Sequence, residues 1–205
     1  MKTNYRAIDC MGNEELVFKS RSVELVVVKL AAEECSLRLS VKEGAGVHVV
    51  VIGAALKYDI VGTIQDKARL TLSCLNTTAH SQASVVSLQL VGEQASVHVQ
   101  TVVRSYKESQ LDARCTLEHA SPHTVGRITA RRVVEDDSKS SFSGMLRIMP
   151  GAHGTDTYLS DKALNLGVKS TAKSDPGLEI LADDVIASHG ATIGRLNQEE
   201  LIYLR

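Results

Sequence analysis

A single histidine, His189, is set among small residues in the run LEILADDVIASHGATIG that starts at Leu178. Imidazole ligates metal ions through a neutral ring nitrogen and changes charge near neutral pH. With Ser188, Gly190 and Ala191 beside it, the ring has little bulk to hide behind, so a ligand or a partner chain can approach closely. Spacing alone favours the plainer role, a surface or interface histidine bonded to backbone. Asp183-Asp184 just upstream reads first as a turn, and only second as hard ligands or a bias on the protonation of His189. His48 and His98 each lie in a Val-His-Val phrase that turns them outward to solvent, and a metal ladder there would need more convergent ligands. The same reservation applies to His80.

Four cysteines offer the other chemistry. Cys10, Cys35, Cys74 and Cys115 are widely separated and form no CxxC pair, which argues against a self-contained zinc or cluster site and for free thiols in a reducing cytosol. Parity turns three of them inward: Cys35 with Leu37, Leu39 and Val41, Cys74 with Leu70 and Leu72, and Cys115 with Leu111, Ala113 and Leu117. A thiol in such a place behaves as a small buried hydrophobe.

Strands must position these groups. VELVVVKL from Val23 and CSLRLSV from Cys35 are β-rich, and a phrase then recurs in GAGVHVVV, DKARLTLSCL and GEQASVHVQTVV. Its alanines, Ala45, Ala68 and Ala95, are about 23 and about 27 residues apart, a spacing that marks stacked repeats. The phrase SQASVVSLQL from Ser81 interrupts the second interval. An all-β solenoid follows, each coil covering the apolar face of the one before. A sandwich of hairpins is the alternative, but it lacks the usual Asn-Gly or Asp-Gly turns here. Asp136-Asp137-Ser138 and Pro150-Gly151 mark further turns, and adjacent aspartates on a strand would face opposite sides rather than form a two-carboxylate site. The expected organisation is an extension or edge strand over 1–20, a solenoid core over 21–194 and a short helix over 195–205, capped by Asn197.

Composition narrows the function. A chain of 205 residues suits one domain, and a net charge of −1 gives no case for nucleic acid or an anionic membrane. Aromatics are 3% with no Trp, so the core is aliphatic and layered. The sequence holds no apolar run of membrane-spanning length, and its N-terminus lacks the apolar centre of a signal peptide; a cytoplasmic protein is expected.

The His189 segment, the stretch DDSKSSFSGMLRIMPGAHGTDTYLSDKALNL from Asp136, and the closing Tyr203-Leu204-Arg205 together resemble the core of the SufB/SufD family. The phrase from Gly151, with His153, Asp156 and Tyr158, is similar to that family's GAxxTDxYxxN motif. The resemblance is specific from Cys115 to Arg205 and is only a compatible pattern before that. It is nearer SufD, whose motif carries a histidine where SufB has a glutamate, and His189 is the matching position. What the resemblance implies is a right-handed parallel β-helix that scaffolds iron–sulfur cluster assembly alongside the ATPase SufC. It implies that sulfur passes through the interior to a subunit interface, with Cys115 the candidate on that path, and that His119 and His123 lie near the interface. Two departures matter. SufD often has a cysteine where Ala187 stands, and the SufB interface cysteine has no counterpart after Cys115. The flanking helical domains, one of which docks SufC, are expected to be absent from this short form.

The combined reading is a non-enzymatic scaffold subunit of the SUF system, pairing through its terminal coils with itself or with a SufB/SufD-like subunit. His189 would be a cofactor-binding residue and iron ligand for a transient iron–sulfur cluster. Two alternatives stay open: a purely structural oligomerisation module, and a carbohydrate-active β-helix enzyme, against which the scattered acids and few aromatics count.

Overall fold

Alternation of apolar and polar residues sends every second side chain of a strand to the same face, and here that rule governs nearly the whole chain. The structure is a computed structural model, and it describes residues 4–53, 55–196 and Tyr203. One sheet contains β1 (Asn4–Cys10), β3 (Val23–Leu30), β5 (Gly46–Gly53), β7 (Arg69–Thr78), β9 (Ser96–Ser105), β11 (Val125–Val134), β13 (Asp156–Asn165) and β15 (Ile186–Arg195), hydrogen-bonded in that order. The other contains β2 (Asn13–Phe18), β4 (Glu34–Val41), β6 (Lys57–Ile64), β8 (Gln82–Leu90), β10 (Gln110–His119), β12 (Lys139–Ile148) and β14 (Thr171–Ile180), stacked likewise. Every pairing is parallel. The chain therefore passes from one sheet to the other and back, laying each coil on the last. This is the parallel β-helix that the repeat predicts.

Parallel partners in register face the same side, so inner residues stack in columns. One column runs Val26, Val49, Leu72, Val99, Ile128 and Leu159, all at 0% exposure. Each such aliphatic side chain contributes about 1.5–3 kcal/mol by leaving water. Because the core is a stack, it is long and narrow, and its two ends are its weak points.

The corners explain the repeated alanines. Gly44, Lys67 and Gln94 adopt positive φ, and each is followed by a buried alanine: Ala45, Ala68, Ala95. The left-handed residue reverses the chain, and the small side chain after it tucks under the turn, its N–H bonded to the carbonyl of Lys42, Gln65 or Gly92. Further along, Thr124 follows left-handed His123 and Thr155 follows Gly154, and their hydroxyls bond to each other at 3.1 Å. At another corner, buried Ser109 and Ser138 close turns that contain left-handed Lys107 and Asp136. Asp184, also left-handed, turns the chain between β14 and β15, as the Asp183-Asp184 pair predicts.

β1 and β2 are the outermost strands at one end, and β14 and β15 at the other. Arg195 closes β15, and most of the helix expected over 195–205 lies outside the described residues.

Candidate functional site

His189 pairs in register with Leu159, which is wholly buried, so its imidazole belongs to the inner face of the solenoid. It is nevertheless exposed, because no further strand lies over β15 among the described residues. Its inner-row neighbours follow from the same register: Ala187, Ala191, Ile193 and Arg195 on β15, with Pro176, Leu178 and Ile180 on β14. Ile193 and Ile180 are 46% and 45% exposed, where their counterparts one coil below, Ala163 and Ile148, are buried. Arg195 folds over the β13–β14 connection and donates to the carbonyls of Gly167, Val168 and Ser170. The result is an open, mainly apolar end face with one imidazole in it. On the outer side, Tyr158 lies over Gly190, its hydroxyl 3.3 Å from the position a Cβ would take.

Cys115 and His189 are not brought together. In the β8–β10–β12–β14 column the order is Val86, Cys115, Gly144, Pro176, so Cys115 sits two strands below the end face. Leu159 occupies the space that Gly144 leaves, and a Cβ on Gly144 would come within 2.2 Å of its Cδ1. A packed leucine, directly beneath His189, thus separates the thiol from the imidazole. Cys115 has a neighbour of its own kind in Cys74, across the interior. Burial pushes the Cys74 thiol up to about 12 and raises Cys115 as well, so both are protonated thiols at neutral pH. Tyr58 beside Cys74 is raised mainly by burial too, and its hydroxyl accepts from Asn76 Nδ2 at 2.9 Å. Asn76 Oδ1 and Gln82 Oε1 are buried without a hydrogen-bond partner among the described residues.

His119 departs from the expected interface position: it is 0% exposed, inside the solenoid. Its Nδ1 lies 2.8 Å from Thr124 Oγ1 and its Nε2 lies 3.1 Å from Thr157 Oγ1. Gly126 makes room, since a Cβ there would meet the ring at 2.5 Å. Burial, assisted by the charge of Arg127, lowers its pKa to about 4 and keeps the ring neutral. His123 does reach the surface, edge-on to His153 with ring centroids 5.3 Å apart. His48 and His98 face outward and are partly exposed, joined to Ser73 and Thr129 in a chain of side-chain hydrogen bonds. Among the described residues no group of three or more His, Cys, Asp or Glu is arranged to hold a metal.

One group near the end face was missed by the sequence reading. Arg132 on β11 and Asp161 on β13 both point inward and form a buried, two-pronged ion pair at 3.1 and 2.6 Å. Arg132 also donates to the carbonyl of Ser140 at 2.9 Å and to Ser174 Oγ at 2.9 Å, while the Ser174 hydroxyl donates to Asp161. The signal was available, because Arg132 shares parity with Ile128 and Ala130, and Asp161 with Leu159 and Ala163. Two opposite charges on the core parity of successive coils mark a pair. Asp161 lies directly below Ala191 in register, and through Ser140 and Ser174 of the opposite sheet the pair ties the two sheets together one coil beneath His189.

The geometry is that of a stacked scaffold with an open end, and sequence comparison gives it a family. Residues 21–205 match the family model described as SUF system FeS cluster assembly, SufBD core domain. The chain belongs to this family. It is 34% identical over 119 residues to the iron–sulfur cluster assembly protein SufD of Escherichia coli K12, a stretch that is 58% of this chain and 28% of that protein. An iron–sulfur cluster assembly SufBD family protein of Mycobacterium tuberculosis H37Rv is 27% identical over 115 residues, 56% of this chain and 14% of that protein. SufB of Bacillus subtilis is 26% identical over 115 residues, 56% of this chain and 25% of that protein. The matches thus span less than a third of these SufBD relatives.

Proposed function

We propose that this SufBD-core chain is a non-enzymatic scaffold subunit of SUF-type iron–sulfur cluster assembly. Its C-terminal end face docks a second subunit, either another copy or a SufB/SufD-like partner, and presents His189 as an iron ligand to a transient cluster. The observation that carries this reading is the position of His189: an inner-face imidazole left open on an apolar end. The other end of the solenoid is finished differently. There the inner row includes Arg6, which lies over Phe18 and 3.9 Å from Glu24, together with Glu14. Inward charges on a free sheet edge discourage association; at the His189 end the one inner-row charge among the described residues, Arg195, is folded onto backbone carbonyls of the β13–β14 connection, which leaves the face apolar.

One imidazole is a weak site alone, so the partner or bound sulfide must supply the remaining ligands. Cys74 and Cys115 are the interior groups through which sulfur would travel, and each would have to lose its proton to accept it. A SufC-like ATPase is the further partner, and the cytoplasm, where free thiols persist, is the compartment. Anaerobic incubation with iron and sulfide tests the proposal. The expected product is a dimer with cluster absorption, reduced several-fold in His189→Ala; a colourless dimer would support the structural module instead.

A further inference from the structure

Cys10 precedes the part of the chain that the SufBD model matches, and neither it nor Cys35 enters the cluster chemistry proposed above. The fold nevertheless brings them together. Cys10 ends β1 and Cys35 lies near the start of β4, on opposite sheets, at one corner of the solenoid's N-terminal end. Two backbone bonds lay the second coil's corner on the first: Ala31 N–H to Cys10 O at 2.9 Å and Ser36 N–H to Gly12 O at 2.7 Å. The thiols use the same two carbonyls. Cys35 Sγ donates to Cys10 O at 3.3 Å, and Cys10 Sγ to Gly12 O at 3.3 Å. The Cys35 sulfur therefore lies against the backbone of Cys10 itself. The proximity of the two residues is fixed by the backbone rather than by side-chain chance.

Access is one-sided. A surface cavity of about 300 Å³, lined by Asn13, Glu34, Cys35, Ser36, Lys57 and Asp59, reaches Cys35 but not Cys10. In its wall Lys57 is paired with Asp59 at 4.0 Å, with Glu34 beside them. Cys10 is 0% exposed, and burial raises its pKa, with Cys35 adding to the shift.

We propose that Cys10 and Cys35 form an oxidisable dithiol that closes to a disulfide on reaction with a small organic disulfide of the oxidised glutathione type. The Cys35 thiolate attacks one sulfur of the reagent, its S–S bond breaks, and one glutathione leaves as a thiol. The Cys10 sulfur, after losing its proton to solvent, then attacks Cys35 Sγ and displaces the second glutathione. Two protein thiols are oxidised and one external disulfide is reduced to two thiols. Cys10, a poor attacker of reagents in solution, is well suited to this second step because its target, Cys35 Sγ, is held against the Cys10 backbone, 3.3 Å from the Cys10 carbonyl oxygen. The bond would clamp β1 to β4, across coils whose outermost strands have neighbours on one side only. Cys74 and Cys115, deeper inside, serve as an internal control.

The test exposes the reduced full-length chain to oxidised glutathione and follows intact mass, thiol count and unreduced peptide maps. The expected result is a loss of two hydrogens, a fall from four free thiols to two, and a linked pair of peptides carrying Cys10 and Cys35. Cys10→Ser should hold one glutathione on Cys35, whereas Cys35→Ser should take up none at Cys10. A glutathione adduct that persists on the unsubstituted chain, an unchanged thiol count, or a Cys74–Cys115 link would each overturn the proposal. Because none of these readouts involves iron, failure here leaves the scaffold reading intact.

Discussion

Arg132 and Asp161 are charges held wholly inside an aliphatic stack, tolerable only because guanidinium, carboxylate, Ser140 and Ser174 satisfy one another. Removing one partner strands the other. Asp161→Ala should therefore lower stability by about 3–5 kcal/mol in urea denaturation, while the paired change Arg132→Met with Asp161→Leu should recover most of that loss. His119 makes a second residue-scale prediction. Its pKa falls from 6.5 in the unfolded chain to about 4 when folded. Between those values the unfolded chain binds a proton that the folded chain does not, so stability declines as pH drops through that window. The loss should approach about 3 kcal/mol, and His119→Gln should flatten the dependence. At this scale the sequence was an uneven guide. His189 is exposed because β15 is the last described strand rather than because its neighbours are small, whereas parity placed Cys35, Cys74 and Cys115 inside. The same parity puts His119, four residues after Cys115 on β10, inside as well, a signal that the interface expectation passed over; what the sequence did not show is that Gly126, on a strand of the opposite sheet, makes room for the ring.

The elements are short strands whose register is set at the corners, so the corners are where small changes should matter most. Gly167 packs against the turn of the coil before it, and a Cβ there would lie 2.0 Å from Asp136 O. Gly167→Ala should cost about 1–3 kcal/mol, since a backbone carbonyl has to move. Gly12, also at a corner but with nothing within 4 Å of its would-be Cβ, is the comparison, and Gly12→Ala should change stability by less than about 0.5 kcal/mol. The repeat was legible because Ala45, Ala68 and Ala95 all fill one corner after a left-handed residue. It faded after Ala95 because Thr124 and Thr155 take over the position, keeping its size while adding a hydroxyl ladder. Sequence alternation alone, however, could not assign each strand to its sheet; that emerged from the parallel pairing of every second strand.

For the whole molecule, the two ends of the solenoid differ in what their inner rows carry. One end carries Arg6, Glu14 and Glu24 on its inner row; the other carries Ala187, His189, Ala191 and Ile193, with Arg195 folded away onto the carbonyls of the β13–β14 connection. If the apolar end docks the second subunit, Ile193→Asp should halve the mass in solution, by light scattering, while the circular dichroism of the monomer stays that of a β-solenoid. A mass unaffected by that charge would locate the contact elsewhere. The central claim is that His189 itself touches iron. Its most direct test is pulsed electron paramagnetic resonance on the anaerobically reconstituted, reduced protein with 15N-labelled histidine. The account predicts a 15N coupling to the cluster that vanishes in His189→Ala; a cluster with no nitrogen coupling, or one whose coupling survives that substitution, would contradict it.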